Sequence, residues 1–285
     1  MKIISLLGLT ALLIISSVPA FPQAADSSLQ ALQDAVADND APLVQLLAQD
    51  TYKAATAEDR PDVAEYAEYA LYAVGVQGAP ATTIDLLSTL EKLNPKSKYL
   101  DNAYASYFAA LNQTGQGSKI VAVATEALKN LPNNADALMA LADNAVTRQQ
   151  MDPALTYATR AATALEGKPA PEGMTAAQWT ARKNPMLGRA YMLVGIINSE
   201  KGLHARADEA LRKALPLVEG NDEAKGQTLF YLGLANYQLG TATYDKGRVG
   251  DAIQFSQQAG KLNTTVAQQA LRNAQAMRDY YNTMP

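Results

Sequence analysis

Apolar residues in this chain return every three or four positions, not at alternate ones. The runs are broken at short intervals by Gly, Pro, Asn and Asp. That is the period of amphipathic helices joined by tight turns, with no stretch patterned as a strand. The clearest unit is 226–263. Leu229, Leu232 and Leu239 mark one helix, and Ile253, Phe255 and Leu262 a second. Gly233 on the first, with Ala252 and Ala259 on the second, supplies the small side chains that let two antiparallel helices approach to about 8–10 Å. A hairpin this short cannot cover its own apolar face and has to stack on neighbours.

The rest of the chain reads as looser copies. Asp26-Ser27-Ser28 is expected to cap a helix carrying Leu29, Leu32 and Val36 that ends at Asp38-Asn39-Asp40. Pro42 opens another, with Leu43, Val44, Leu46 and Leu47 as its apolar face. Pro61 starts a helix to about Gln77 with Tyr66, Tyr69, Leu71 and Val74 on or near the apolar side. Ile84, Leu87, Leu90 and Leu93 follow, up to Asn94-Pro95. Two further hairpins are expected from Asp101 and from Ala135, the first closing at Leu131-Pro132. The segment 166–184 interrupts the rhythm. Thr175 and Gln178 have capping-box spacing, so a helix containing Trp179 is expected to start there, and Pro185 is expected to end or kink it. A hairpin with Tyr191, Val194, Gly195, Ala207 and Ala214 turns at Gly202, and Thr241–Gly247 reads as an enlarged turn in the 226–263 unit. The last helix, about 266–281, sets Val266, Ala270, Ala274, Met277 and Tyr281 on one side and polar residues on the other, as an array end needs.

The ends and the composition narrow the class. Met1-Lys2, the apolar run Ile3–Ile15 and Val18-Pro19-Ala20 have the layout of a secretory signal cleaved after Ala20. The run is short for a membrane span of about 20 residues, so a periplasmic or secreted location without a span in the mature chain is expected. The balance of 24 basic and 28 acidic residues contains no basic stripe, which argues against nucleic acid. Cysteine is absent and His204 is the only histidine, which removes thiolate chemistry and the common zinc sites. No nucleophile elbow or phosphate loop occurs; Gly115–Lys119 is a turn. The acidic series Glu58, Asp59, Asp62, Glu65 and Glu68 reads as a solvated helix start rather than a calcium loop. Asn112-Gln113-Thr114 and Asn263-Thr264-Thr265 are glycosylation sequons. No catalytic residue, metal site or cofactor is expected.

Leu229, Leu232-Gly233, Ala252, Ala259 and Asn263 fall on the motif positions of tetratricopeptide (TPR) repeats. So do Tyr191, Val194-Gly195, Ala207 and Ala214, then Ala154 and Ala161, with Pro95 and Pro132 at closing positions. Leu71, Phe108, Ala142, Thr83 and Leu90 depart from the motif. The chain therefore resembles TPR proteins over most of its length. The resemblance implies an all-α fold: an α-solenoid of stacked antiparallel hairpins in a right-handed superhelix with terminal capping helices. Its parts would be a signal peptide (1–20), a leader and N-terminal capping pair (21–60), about five hairpins (61–263, insertion 166–184) and a C-terminal cap (264–285). First helices of TPR hairpins line a concave groove. Carried over, the groove positions are Glu65, Glu68, Tyr72, Asn102, Ala105, Ala109, Asn112, Asp136, Met139, Asp143, Arg189, Met192, Ile196, Gln227, Phe230, Leu234 and Tyr237. Its N-terminal half would be acidic and its C-terminal half apolar and aromatic. The Lys/Arg/Asn clamp that some TPR domains use for a terminal carboxylate is missing, since Ala105, Ala109, Met139, Asp143 and Met192 stand there. The expectation is a non-enzymatic scaffold holding a protein or peptide through Met and aromatic anchors. The alternatives are a homo-oligomer built through exposed tyrosines or the Trp179 segment, and a glycan- or ligand-processing protein using Asp136 and Asp143.

Overall fold

The computed structural model describes residues 24–171 and 173–285, and the expected signal peptide and leader lie outside them. Among the described residues there are thirteen α-helices and no strand. In chain order they are α1 (Ala24–Ala37), α2 (Ala41–Ala57), α3 (Pro61–Gln77), α4 (Pro80–Leu93), α5 (Leu100–Gln113), α6 (Ile120–Asn130) and α7 (Ala135–Thr147). Then come α8 (Met151–Glu166), α9 (Ala176–Glu200), α10 (His204–Ala214), α11 (Asp222–Thr243), α12 (Lys246–Gly260) and α13 (Ala267–Thr283). Helices that follow one another pack together along most of the chain, and contacts also join α1 to α3, α3 to α5, α5 to α7, α9 to α11 and α11 to α13. This is the one-dimensional packing that an α-solenoid has. No helix among the described residues is long and apolar enough to cross a membrane.

Local chemistry explains the helix ends. Pro42, Pro61 and Pro80 occupy first turns, where no amide donor is needed. Asp40, Asn134, Asn221 and Asp245 accept hydrogen bonds from backbone amides three residues on. Thr175 and Gln178 form the expected capping box. One turn recurs between α1 and α2, α2 and α3, α5 and α6, α7 and α8, α9 and α10, and α11 and α12. A single left-handed residue (Asn39, Asp59, Gly115, Gln149, Gly202 or Tyr244) is followed by an amide that bonds to the carbonyl five residues back, at 2.7–3.0 Å. That is a Schellman closure. The α3–α4 turn departs from it: Thr83 Oγ1 donates to Gly75 O at 2.7 Å instead.

Glycines on α11 set the antiparallel pairing. A Cβ added to Gly240 would lie 2.7 Å from Val249, one on Gly233 would collide with Ser256 Oγ, and one on Gly226 would lie 2.8 Å from Thr264. As the glycines step back toward the helix start their partners step forward. The seven-residue spacing keeps the glycines on one stripe. The same holds on α9, where Gly195 meets Leu211 and Gly188 lies 2.8 Å from Leu217 by the same measure. Gly233, Ala252 and Ala259 are fully enclosed, as their small size predicts.

Several expectations change. Helix α9 runs through Pro185 without ending; Pro185 and Ala181, whose carbonyl it leaves unbonded, are both exposed to water. Residues 241–243 extend α11 rather than enlarge a turn, because Tyr244 closes the helix in the recurrent left-handed geometry. Asp26 lies inside α1 rather than capping it. On α2 the buried face is Val44, Ala48, Thr51 and Ala55, while Leu43 and Leu46 are exposed.

Candidate partner-binding face

Helices α3, α5, α7, α9 and α11 line a file of hollows. The largest, about 920 Å³, lies between α3, α5 and the segment after α8, with Tyr69, Tyr72, Tyr99, Asn102 and Arg182 among its walls. A central hollow of about 700 Å³ brings Asn112, Asp136, Met139 and Asp143 together with Pro185 and Arg189. A third, also about 700 Å³, runs from Pro185, Arg189 and Met192 to Gln227. The second and third share Pro185 and Arg189.

The first two are divided by the insertion. Trp179 is buried and its Nε1 donates to Lys168 O at 3.0 Å. Lys168 pairs with Asp101 at 2.6 Å. Arg182 Nη2 donates to Asn102 O at 3.1 Å. Asn134 ties the same corner together, donating to the Asp101 carboxylate at 2.9 Å. The first turns of α9 are thereby held against the start of α5, beside the N-cap of α7.

The electrostatics differ from the expected acidic N-terminal half. The Glu65 carboxylate accepts from Lys98 Nζ at 2.7 Å and Tyr99 Oη at 3.2 Å, and these bonds hold it below the usual glutamate range. Glu68 is buried and accepts from Asn94 Nδ2 at 2.8 Å, so it is not part of a solvated series. Asp62 binds Arg60, and Asp59 is a left-handed turn residue. In the central hollow Asp143 accepts from Arg189 Nη2 at 2.7 Å, yet desolvation outweighs that partner and raises its pKa. Asp136 is raised for the same first cause, against the pull of Arg182 and Lys168.

Of the carried-over residues, Asn112, Met139, Asp143 and Arg189 meet in one hollow, and Arg189, Met192 and Gln227 in the next. Asn102 stands in the first with Glu65 and Tyr72. Phe230, Leu234 and Tyr237 line none of the three. The Phe230 ring packs on Tyr231 at 5.3 Å and Tyr237 packs on Tyr280 of α13 at 5.7 Å, both edge-on, while Leu234 is half-buried. Repeat-based reasoning missed Tyr99, Gln178 and Arg182, which lie in the turn before α5 and in the insertion. The only signal for them was the capping box that starts α9. No protein-family model matches the chain, and no curated protein matches it in sequence.

Proposed function

We propose that this chain is an extracytoplasmic TPR-type scaffold, a right-handed superhelix that holds a protein or peptide partner against the face of α3, α5, α7, α9 and α11. It performs no chemistry of its own. The observation that carries the reading is the file of hollows on the first helices of five successive hairpins. Their volumes fall in the range of ligand sites, about 300–1,000 Å³. Their lining mixes Met and aromatic surface with a few polar groups, which suits an extended or helical peptide. The recurrent turn and the glycine-to-helix contacts support the repeat reading, and the apolar run before residue 16 supports the compartment.

The test is a pair of charge insertions. Met192→Glu places a carboxylate in the C-terminal hollow, and Thr163→Glu places one at an exposed position on α8. Recovery of envelope partners with the tagged protein is expected to fall at least about tenfold for Met192→Glu and to stay unchanged for Thr163→Glu. Equal recovery with both variants contradicts the proposal.

A further inference from the structure

We infer that the first part of α9, residues 176–184, is a gate that turns about Pro185 and, on lifting, joins the hollow between α3 and α5 to the central one. The motion stands on its own; its use, one groove for a longer partner segment, rests on the scaffold reading above. Three observations lead to it. The first is how unevenly α9 is anchored. Every buried residue of the helix but one lies beyond Pro185, from Leu187 to Ser199. There Gly188 and Gly195 press on Leu217 and Leu211, with no room for a methyl group between them. Ahead of Pro185 only Trp179 is buried. Segments with so few buried side chains open at a lower free energy than the whole fold.

The second observation is the place of Pro185 itself. Proline has no amide hydrogen, so the bond that would tie residue 185 to the Ala181 carbonyl is missing where the anchored part of the helix meets the loose part. A missing rung is where a helix bends. The third observation is what the closed gate separates. Trp179 Nε1 donates to Lys168 O at 3.0 Å and Arg182 Nη2 to Asn102 O at 3.1 Å, and these two bonds fasten it. Beside them lies a void of about 20 Å³, far below the volume of a ligand site, with Asn102, Asp136, Trp179, Arg182 and Met186 in its wall. Asn102 and Arg182 also line the hollow between α3 and α5, and Asp136 and Met186 line the central one. The void is therefore the shut passage between the two. The Asp136 carboxylate has no hydrogen-bond partner among the described residues, and desolvation raises its pKa against the pull of Arg182 and Lys168. Lifting Trp179 lets water reach that carboxylate, which offsets part of what the two fastening bonds hold.

Trp179 is the only tryptophan of the chain, so its fluorescence reports the gate. In urea titrations of the purified protein, its emission is expected to move to that of a water-exposed indole before the helical circular dichroism is lost. Pro185→Ala restores the missing bond and is expected to close at least about half of the gap between the two transitions, while Arg182→Ala removes one fastening and is expected to widen it. Amides of residues 179–184 are expected to exchange with deuterium at least about tenfold faster than those of residues 187–199, and Pro185→Ala to narrow that ratio. Fraying from the helix start alone would leave Pro185→Ala without effect on Trp179. If Arg182→Ala does not fold, Pro185→Ala decides. The inference is overturned if the two transitions of the parent coincide, if exchange is equal on the two sides of Pro185, or if Pro185→Ala leaves the gap as it is in the parent. Coincident transitions in a protein that loses its partners with Met192→Glu refute the gate alone. Separate transitions in a protein that keeps its partners with Met192→Glu refute the scaffold reading and leave the gate standing.

Discussion

The α11–α12 hairpin and the α3–α4 hairpin solve one packing problem with different residues. In the first, glycines at 226, 233 and 240 remove side chains so that α12 and the segment after it press on the backbone of α11. In the second, Leu71, Leu86, Leu87 and Leu90 fill the interface, all of them fully enclosed, and Thr83 closes the end of α3. Glycine fixes the distance between helices by steric necessity. Leucine fixes it by filling volume, which neighbouring side chains can share. The glycine-set pair is therefore narrow in what it accepts, and the leucine-set pair is broader. The broader pair is the one that carries Tyr69 and Tyr72.

The largest effect should come from testing the glycines directly. Gly233→Ala pushes a methyl into Ser256 and to 3.3 Å from the Ala252 carbonyl oxygen. A loss of about 2 kcal/mol is expected in urea unfolding, even after the gain in helix propensity. Gly75→Ala meets Leu87 Cδ2 and Leu86 Cβ at 3.1 and 3.2 Å, distances that a shift of a few tenths of an ångström between α3 and α4 relieves. There the propensity gain of up to about 1 kcal/mol should leave stability nearly unchanged. Equal losses at the two sites would erase the distinction between the hairpins.

The turns sharpen it further. Tyr244 holds φ 55° in the α11–α12 turn and is 75% exposed, so its ring returns little for the strained backbone. Tyr244→Gly should raise the urea midpoint by an amount equivalent to about 0.5–1 kcal/mol, the left-handed penalty less the entropy that glycine costs. The α3–α4 turn has no such residue to relieve.

Much of this was legible in the sequence, for a physical reason. The spacing of Gly233, Ala252 and Ala259 reports a distance, and proline and Asx residues report helix starts. Accordingly, α3 and α7 begin where those signals place them. Leucine and tyrosine in α3–α5 report only burial, and the same letters serve a core or an open hollow. Tyr69 was read onto the apolar side and faces a hollow, while Glu68 was read onto a solvated face and is buried. Phe230 and Tyr237 were read as groove anchors; each packs edge-on against one ring, Tyr231 and Tyr280 of α13 respectively, and stays half-buried. The insertion had no repeat to copy, so its role in dividing the face through Trp179, Arg182 and Lys168 could not be read from periodicity.

The smallest expected effect concerns charge in the central hollow. Burial raises Asp136, so it binds a proton more readily folded than unfolded. Its contribution to stability is present below the unfolded aspartate value of about 3.9 and is lost as pH rises through the higher folded value. Asp136→Asn removes that dependence. Relative to the parent, the variant should gain less than about 1 kcal/mol between about pH 3 and about pH 7, measured by urea unfolding at both. A relative loss over the same interval would reverse the assigned sign.

The claim on which the account turns is that the face of odd-numbered helices, not the outer one, holds the partner. Photo-crosslinking residues placed singly at Tyr69, Met139 and Gln227, and at the exposed outer positions Thr156 and Thr163, compare the two faces in the native cell. The account predicts one shared adduct from the three inner positions and none from the outer two. The same adduct from Thr156 and Thr163, or no adduct from any inner position, would contradict it.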